Sequence, residues 1–226
     1  MKIIVSIAFL YLFIGAFKSQ NPEELLGQLV SKLERVQDYS AAVNIKADIP
    51  LIKILPVRAK IYFKKENQFK VVSKGIAILP KQGFTDMNVF LRATESYMVV
   101  FAGEKIINNV NSHLLTVIAN ESDSEIILIK LWVDPIKKLI LESEITTRSS
   151  GNVKVSYTYN GHEDYGLPSE LKFEVDVKEF KMPKSFSSNP HKTTTGKVNK
   201  RKSGIIHLIL TDYKVNQGIE DSFFDK

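Results

Sequence analysis

The chain has 226 residues, about 1.5 average domains. With 44% hydrophobic and 25% charged residues, 8 Pro and 11 Gly, wholesale disorder, low complexity and a multi-span membrane protein are excluded. A balance of 31 Lys and Arg against 25 Asp and Glu gives a moderate +6, and the absence of Cys excludes a disulfide, a thiolate metal site, a Cys nucleophile and a Cys-borne lipid anchor.

Met1-Lys2 is a minimal positive start, and Ile3 to Phe17 is an almost unbroken apolar run. That run suits a signal-peptide core and falls short of the ~20 residues that span a bilayer. Residues 1–20 are therefore expected to be a signal peptide, with cleavage after Ala16, Ser19 or Gln20. They carry Lys2 and Lys18 and no acids, so the mature chain would hold +4. A cysteine-free exported chain fits a bacterial periplasm.

Asn21-Pro22-Glu23-Glu24 reads as a helix start: a capping side chain, Pro at the first helical position, and acids at the positive helix end. Leu25, Leu26, Leu29, Val30, Leu33 and Val36 recur at helical spacing, which predicts about four turns ending near Asp38. From Tyr39 the period becomes two. Val43, Ile45, Ala47 and Ile49 form one apolar face, and Val57, Ala59, Ile61 and Phe63 another. A turn at Lys65-Glu66-Asn67 leads to Phe69 and Val71. Met87, Phe90 and Leu91 suggest a short helix between Pro80 and Ser96. Strand texture resumes at Tyr97–Ala102, with a turn expected at Gly103-Glu104.

Ile126 to Val133 is apolar on both faces except for Lys130, which predicts a central strand covered on both sides. Asp134-Pro135 turns the chain. Leu139, Leu141, Ser143 and Ile145 alternate with Ile140, Glu142, Glu144 and Thr146, and Ser150-Gly151-Asn152 is a hairpin turn. Val153, Val155, Tyr157 and Tyr159 share a face, as do Leu171, Phe173 and Val175. Lys181 to Ser203 is polar and basic and is expected to be a mobile loop. Ile205 to Leu210 closes the sheet. One helix followed by roughly ten strands, with turns every ~8–12 residues, is the pattern of a large antiparallel barrel or half-barrel.

Chemistry-bearing motifs are sparse. There is no Gly-rich phosphate loop and no G-x-S-x-G. His162-Glu163-Asp164 reads as a polar turn, and a metal there would need ligands from elsewhere. His207 shares a strand face with Ile205 and Ile209, as a hydrogen-bonded core or pocket-wall residue. Glu142 and Glu144, and Glu174 and Asp176, are period-two neighbours on polar strand faces, which is the ordinary solvent side. The stretch Lys192, Lys197, Lys200, Arg201 and Lys202 reads as a solvated loop or a weak contact with an anionic surface. It lacks the aromatic residues that stack on bases, so nucleic acid is not an expected partner.

Five segments resemble the LolA-like superfamily of periplasmic lipoprotein-sorting proteins and their relatives. They are EELLGQLVSKLERVQDYSAAVNIKAD, AKIYFKKENQFKVVSKG, IKLWVDPIKKLILESEIT, GNVKVSYTY and TDYKVNQGIEDSFF. The resemblance implies a mostly β fold: a strongly curved antiparallel sheet, an incomplete β-barrel, with an N-terminal helix and a short lid segment packing on its concave face. It implies a single half-barrel domain over residues 21–226 and an apolar cavity for lipoprotein acyl chains. A related branch senses mislocalised lipoproteins or lipids in regulating a stress-response sigma factor. Two departures stand out. Lys65 occupies the turn position where the carriers place an arginine, and lysine is a point charge without the guanidinium fork. The carrier's lid before the IKLWVDP strand has no counterpart, so a lid must come from Pro80 to Ser96.

The candidate cavity wall is Ile61, Phe63, Phe69, Val71, Phe101, Ile129, Leu131, Leu141, Tyr157, Phe173 and Ile209, with Lys65 as a lid contact; each apolar member could equally be plain core. The expectation is a monomeric, non-enzymatic periplasmic carrier or binder of acyl chains of lipoproteins or other lipids. It would use no cofactor and no metal, with inner- and outer-membrane lipoprotein-sorting machinery as possible partners. The alternative is an interaction protein that senses envelope state through the same fold. A hydrolase would need a nucleophile–base pair that the sequence does not offer.

Overall fold

The computed structural model describes residues 21–50, 54–66, 68–75, 77, 79, 86–149, 151–176 and 203–225. The expected signal peptide and the expected loop from Lys181 to Ser203 lie outside the described residues, except that Ser203 already opens the last strand.

Helix α1 spans Pro22–Glu34; the Asn21 side chain accepts from the Glu23 backbone N–H, and Pro22 opens the first turn. Its buried face is Leu25, Leu26, Leu29 and Val30. The helix stops about a turn earlier than its apolar spacing predicts, because the chain is already committed to strand β1 at Asp38.

Ten antiparallel strands form one sheet. They are β1 (Asp38–Asp48), β2 (Val57–Lys64), β3 (Gln68–Ser73), β4 (Tyr97–Ile107), β5 (Val110–Ala119), β6 (Ile126–Asp134), β7 (Leu139–Thr147), β8 (Gly151–Thr158), β9 (Glu170–Asp176) and β10 (Ser203–Val215). A six-residue helix, α2, spans Met87–Arg92. The spatial order is β3-β2-β1-β10-β9-β8-β7-β6-β5-β4. The sheet is curved and open, a half-barrel rather than a closed barrel. The first and last strands meet in its interior, and β3 and β4 are its two edges.

That order has a direct consequence for the site. The chain leaves one edge at Ser73 and must reach the other edge at Tyr97. Helix α2 lies in the chain between these two edges. Met87 and Leu91 are buried, and the Tyr97 hydroxyl donates to the Leu91 carbonyl at 2.8 Å. Helix α2 is the short lid segment on the concave face.

The concave face carries the core. Ala41, Val43 and Ile45 of β1, Ile61 of β2, Leu115 and Val117 of β5, Ile129, Leu131 and Val133 of β6, Val153 and Val155 of β8, Phe173 of β9, and Ile206 and Leu208 of β10 are all buried. Facing pairs such as Leu115–Leu131 and Leu131–Ser143 lie directly opposite in the ladder. The outer face carries a ladder of opposite charges. Lys130 and Lys154 flank Glu144, Lys154 also faces Glu174, and Lys105 lies 2.5 Å from Glu142 and 4.3 Å above the Trp132 ring.

Several expectations need correction. β6 is not covered on both sides: Ile127 is exposed, and Lys130 and Trp132 lie on the outer face. The first turn after β4 is not at Gly103-Glu104. Gly103, at φ 129°, marks a bulge, and the strand runs on to a turn at Asn108-Asn109, both with positive φ. Two central residues with positive φ are what a two-residue hairpin loop requires.

Candidate lipid pocket

A cavity of about 740 Å³, part of it open at the mouth, lies between the end of α1, the lid helix α2 and the concave face of the sheet. Leu33, Val36 and Met87 contribute from the helical side. Tyr39, Phe63, Phe69, Tyr157, Leu171, Leu210 and Tyr213 contribute from the strands, and Tyr159, Leu167 and Pro168 from the β8–β9 connection. Asn88 and Arg92 of α2 add polar groups at the lid.

Four tyrosines share this pocket, and three have anchored hydroxyls. Tyr157 and Ser143 are 2.9 Å apart, Tyr159 donates to the Ile140 carbonyl at 2.8 Å, and Tyr213 donates to the Pro168 carbonyl at 2.8 Å. Tyr39 stacks on Phe63 at 5.3 Å and tilts against Tyr213 at 5.7 Å. Burial pushes all four phenols above their ordinary pKa of 10. They act as neutral, hydrogen-bonding walls.

The mouth is held by three charges. Glu34, at the last turn of α1, lies 2.6 Å from Lys65 in the β2–β3 turn and 2.8 Å from Arg92 at the end of α2. A carboxylate at a helix C-terminus is disfavoured by the helix dipole, and the two cations offset that cost. The hydrogen bond from Lys65 holds the Glu34 carboxyl below the usual 4.5, with the Arg92 charge adding to it and partial burial opposing it. Arg92 also sits 5.7 Å over the Phe63 ring. Lys65 thus joins the lid through Glu34, and Arg92 supplies the guanidinium from a different element.

Of the residues singled out from sequence, Phe63, Phe69 and Tyr157 line the cavity. Val71 pairs with Ile61 beside it and packs against the core. Ile61, Ile129, Leu131 and Phe173 face the concave side but are sealed, each with 0% exposure. Three positions differ. Ile209 points to the outer face with His207, while Ile206, Leu208 and Leu210 are buried. His207 lies 2.5 Å from Glu170 there, so it is no pocket-wall residue. Leu141 falls at a bulge between the pairs Trp132–Glu142 and Val133–Ile140, and the extra residue hands its place on the wall to Ile140. Phe101 lies opposite Leu115 on the concave side, but on the edge strand and 45% exposed, away from the cavity.

Sequence reasoning missed Tyr39, Tyr213, Leu210, Ile140, Met87 and Arg92 as lining residues. For β10 a signal existed: both phases are apolar, but only the Ile205–Ile209 phase contains a histidine. His162 packs on Tyr213 at 4.9 Å, and the Glu163 carboxylate accepts from the Gly161 N–H. Among the described residues no group of three or more His, Asp or Glu could hold a metal ion, and no helix is long and apolar enough to cross a membrane.

No family model matches the chain, and no curated protein matches it. Solved structures do. A DUF1329 family protein from Desulfovibrio piger superposes with a TM-score of 0.59 at 11% identity, covering 90% of this chain and 95% of that one. A putative outer membrane lipoprotein-sorting protein domain from Vibrio parahaemolyticus gives 0.58 at 10% identity, covering 91% and 97%. A LolA superfamily protein from Nitrosomonas europaea gives 0.53 at 11% identity, covering 89% and 97%. The chain therefore has the LolA-like fold.

Proposed function

We propose that this protein is a non-catalytic carrier or binder of acyl chains, of lipoproteins or other lipids, acting in the periplasm after loss of residues 1–20. The observation that carries the reading is the cavity itself. It is walled by Leu33, Phe63, Phe69, Leu171 and Leu210 and bordered by the lid helix α2 through Met87, Asn88 and Arg92. Burying an acyl chain gains ~0.8 kcal/mol per methylene, so ten methylenes would gain roughly 8 kcal/mol. Ordering costs reduce that to a reversible affinity, which suits a protein that must also release its cargo. Likeness of fold to a lipoprotein-sorting domain supports the same reading.

The test is titration of a fluorescent fatty-acyl probe. The parent protein binds it, and Phe63→Asn loses binding with only a small fall in stability, because a wall residue keeps access to water in the empty cavity.

A second reading, an interaction protein that senses envelope state, is favoured by the β4 edge. Met98, Val100, Phe101 and Ile106 are large, apolar and exposed on a strand that ends the sheet. Such an edge is a template for a partner strand. Failure of the parent to bind any acyl probe would favour this reading.

A further inference from the structure

An apolar pocket fixes its ligand through the few polar groups left unspent on its wall. Among the described residues two pocket groups are unspent. The Tyr39 ring is 9% exposed, and its hydroxyl makes no hydrogen bond, whereas the other three pocket tyrosines are anchored. Arg92 approaches Glu34 with Nε at 2.8 Å, yet that nitrogen is buried and makes no hydrogen bond of acceptable geometry. The terminal nitrogens of its guanidinium make none either. Both groups flank one ring: Tyr39 stacks on Phe63 at 5.3 Å, and Arg92 lies 5.7 Å from the same ring.

The charges there do not cancel. Lys65 and Arg92 share the single carboxylate of Glu34, which leaves one positive charge at the mouth. A ligand carboxylate that meets the terminal guanidinium nitrogens and the Tyr39 hydroxyl offsets that surplus charge, while the buried Nε stays turned to Glu34. A planar carboxylate fits a guanidinium better than any neutral head group does.

Resting on the acyl-carrier reading, we propose that the pocket selects acyl chains ending in a carboxylate, with Arg92 and the Tyr39 hydroxyl as the head-group donors. The chain lies against Phe63, Phe69 and Leu210, and the head stays at the lid. Glu34 and Lys65 set the charge of the site without touching the ligand.

The experiment compares dansyl-labelled undecanoic acid with its methyl ester, on the full chain at low salt. The parent binds the acid at least about tenfold more tightly than the ester, as a charge-assisted pair would give. Arg92→Gln brings the ratio of the two affinities near unity, whatever it does to the affinity the probes share. Tyr39→Phe weakens the acid more than the ester. Glu34→Gln raises the ratio, because it removes the carboxylate that competes for Arg92; a purely structural role for Glu34 would lower both affinities alike. Equal binding of acid and ester by the parent, or a ratio unmoved by Arg92→Gln, overturns the proposal while the carrier reading stands. Binding of neither probe overturns both. Should Arg92→Gln fail to fold, Glu34→Gln and Tyr39→Phe decide: an unmoved ratio in both overturns the proposal.

Discussion

Asp38 shows what one buried carboxylate can organise. It stands where α1 hands over to β1, and it accepts from the backbone N–H groups of Gln217 and Gly218 at 3.0 to 3.2 Å. The neighbouring Asn216 accepts from the Gln37 N–H and donates to the Arg35 carbonyl. The two ends of the fold are thereby stitched together beside the pocket. Asp38→Ala removes the part-buried hydrogen bonds that a charged group makes to these backbone donors and should cost about 1–3 kcal/mol of unfolding free energy, read by urea denaturation. Phe101→Asn should behave very differently. At an exposed edge it should change stability by less than about 0.5 kcal/mol and leave acyl-probe affinity unchanged. Phe173→Ala, in the sealed core, should cost about 3–5 kcal/mol.

At the scale of elements, the lid depends on Glu34 being ionised. Its carboxyl is held below 4.5 in the folded protein, by the Lys65 hydrogen bond first. As pH falls, the unfolded or undocked state takes up the proton first. The contribution is therefore present above about pH 4.5 and is lost as pH drops through the lower folded value. Side chains a third exposed are screened by water, so the effect should stay under about 1 kcal/mol. Met87, buried under the lid, reports it. Its oxidation by peroxide should be up to about fivefold faster near pH 3.5 than at pH 7, and Glu34→Gln should remove that dependence. The same elements show what sequence reveals. Helix α1, the Asp134 turn and the strand faces from Val43 to Val175 follow from spacing and turn chemistry. The Asp134 carboxylate indeed accepts from the Ile136 and Lys137 N–H groups. Single-residue bulges, at Leu141 and before Gly103, were not legible, because one inserted residue shifts a face without altering the local pattern. The Glu34–Lys65–Arg92 contact was not legible either. It joins three elements far apart in the chain, and only the fold brings them together.

At the scale of the whole molecule, strand order explains why a sheet of this size has an inside. The first and last strands pair with each other inside the sheet, the two edges are left to β3 and β4, and α2, in the chain between those edges, packs on the concave side. Charge follows the same division. Lys130, Glu144, Lys154 and Glu174 stay on the outer face, while Glu34, Lys65 and Arg92 gather at the pocket mouth. The central claim is that this concavity holds an acyl chain. Native mass spectrometry of the protein, isolated from its own cells without detergent, tests it most directly. The expected species is a chain shortened by about 16–20 residues that carries one lipid-sized adduct, fragments to an acyl product, and loses the adduct in Phe63→Asn. A parent protein that arrives bare and stays bare after incubation with excess fatty acid would contradict it.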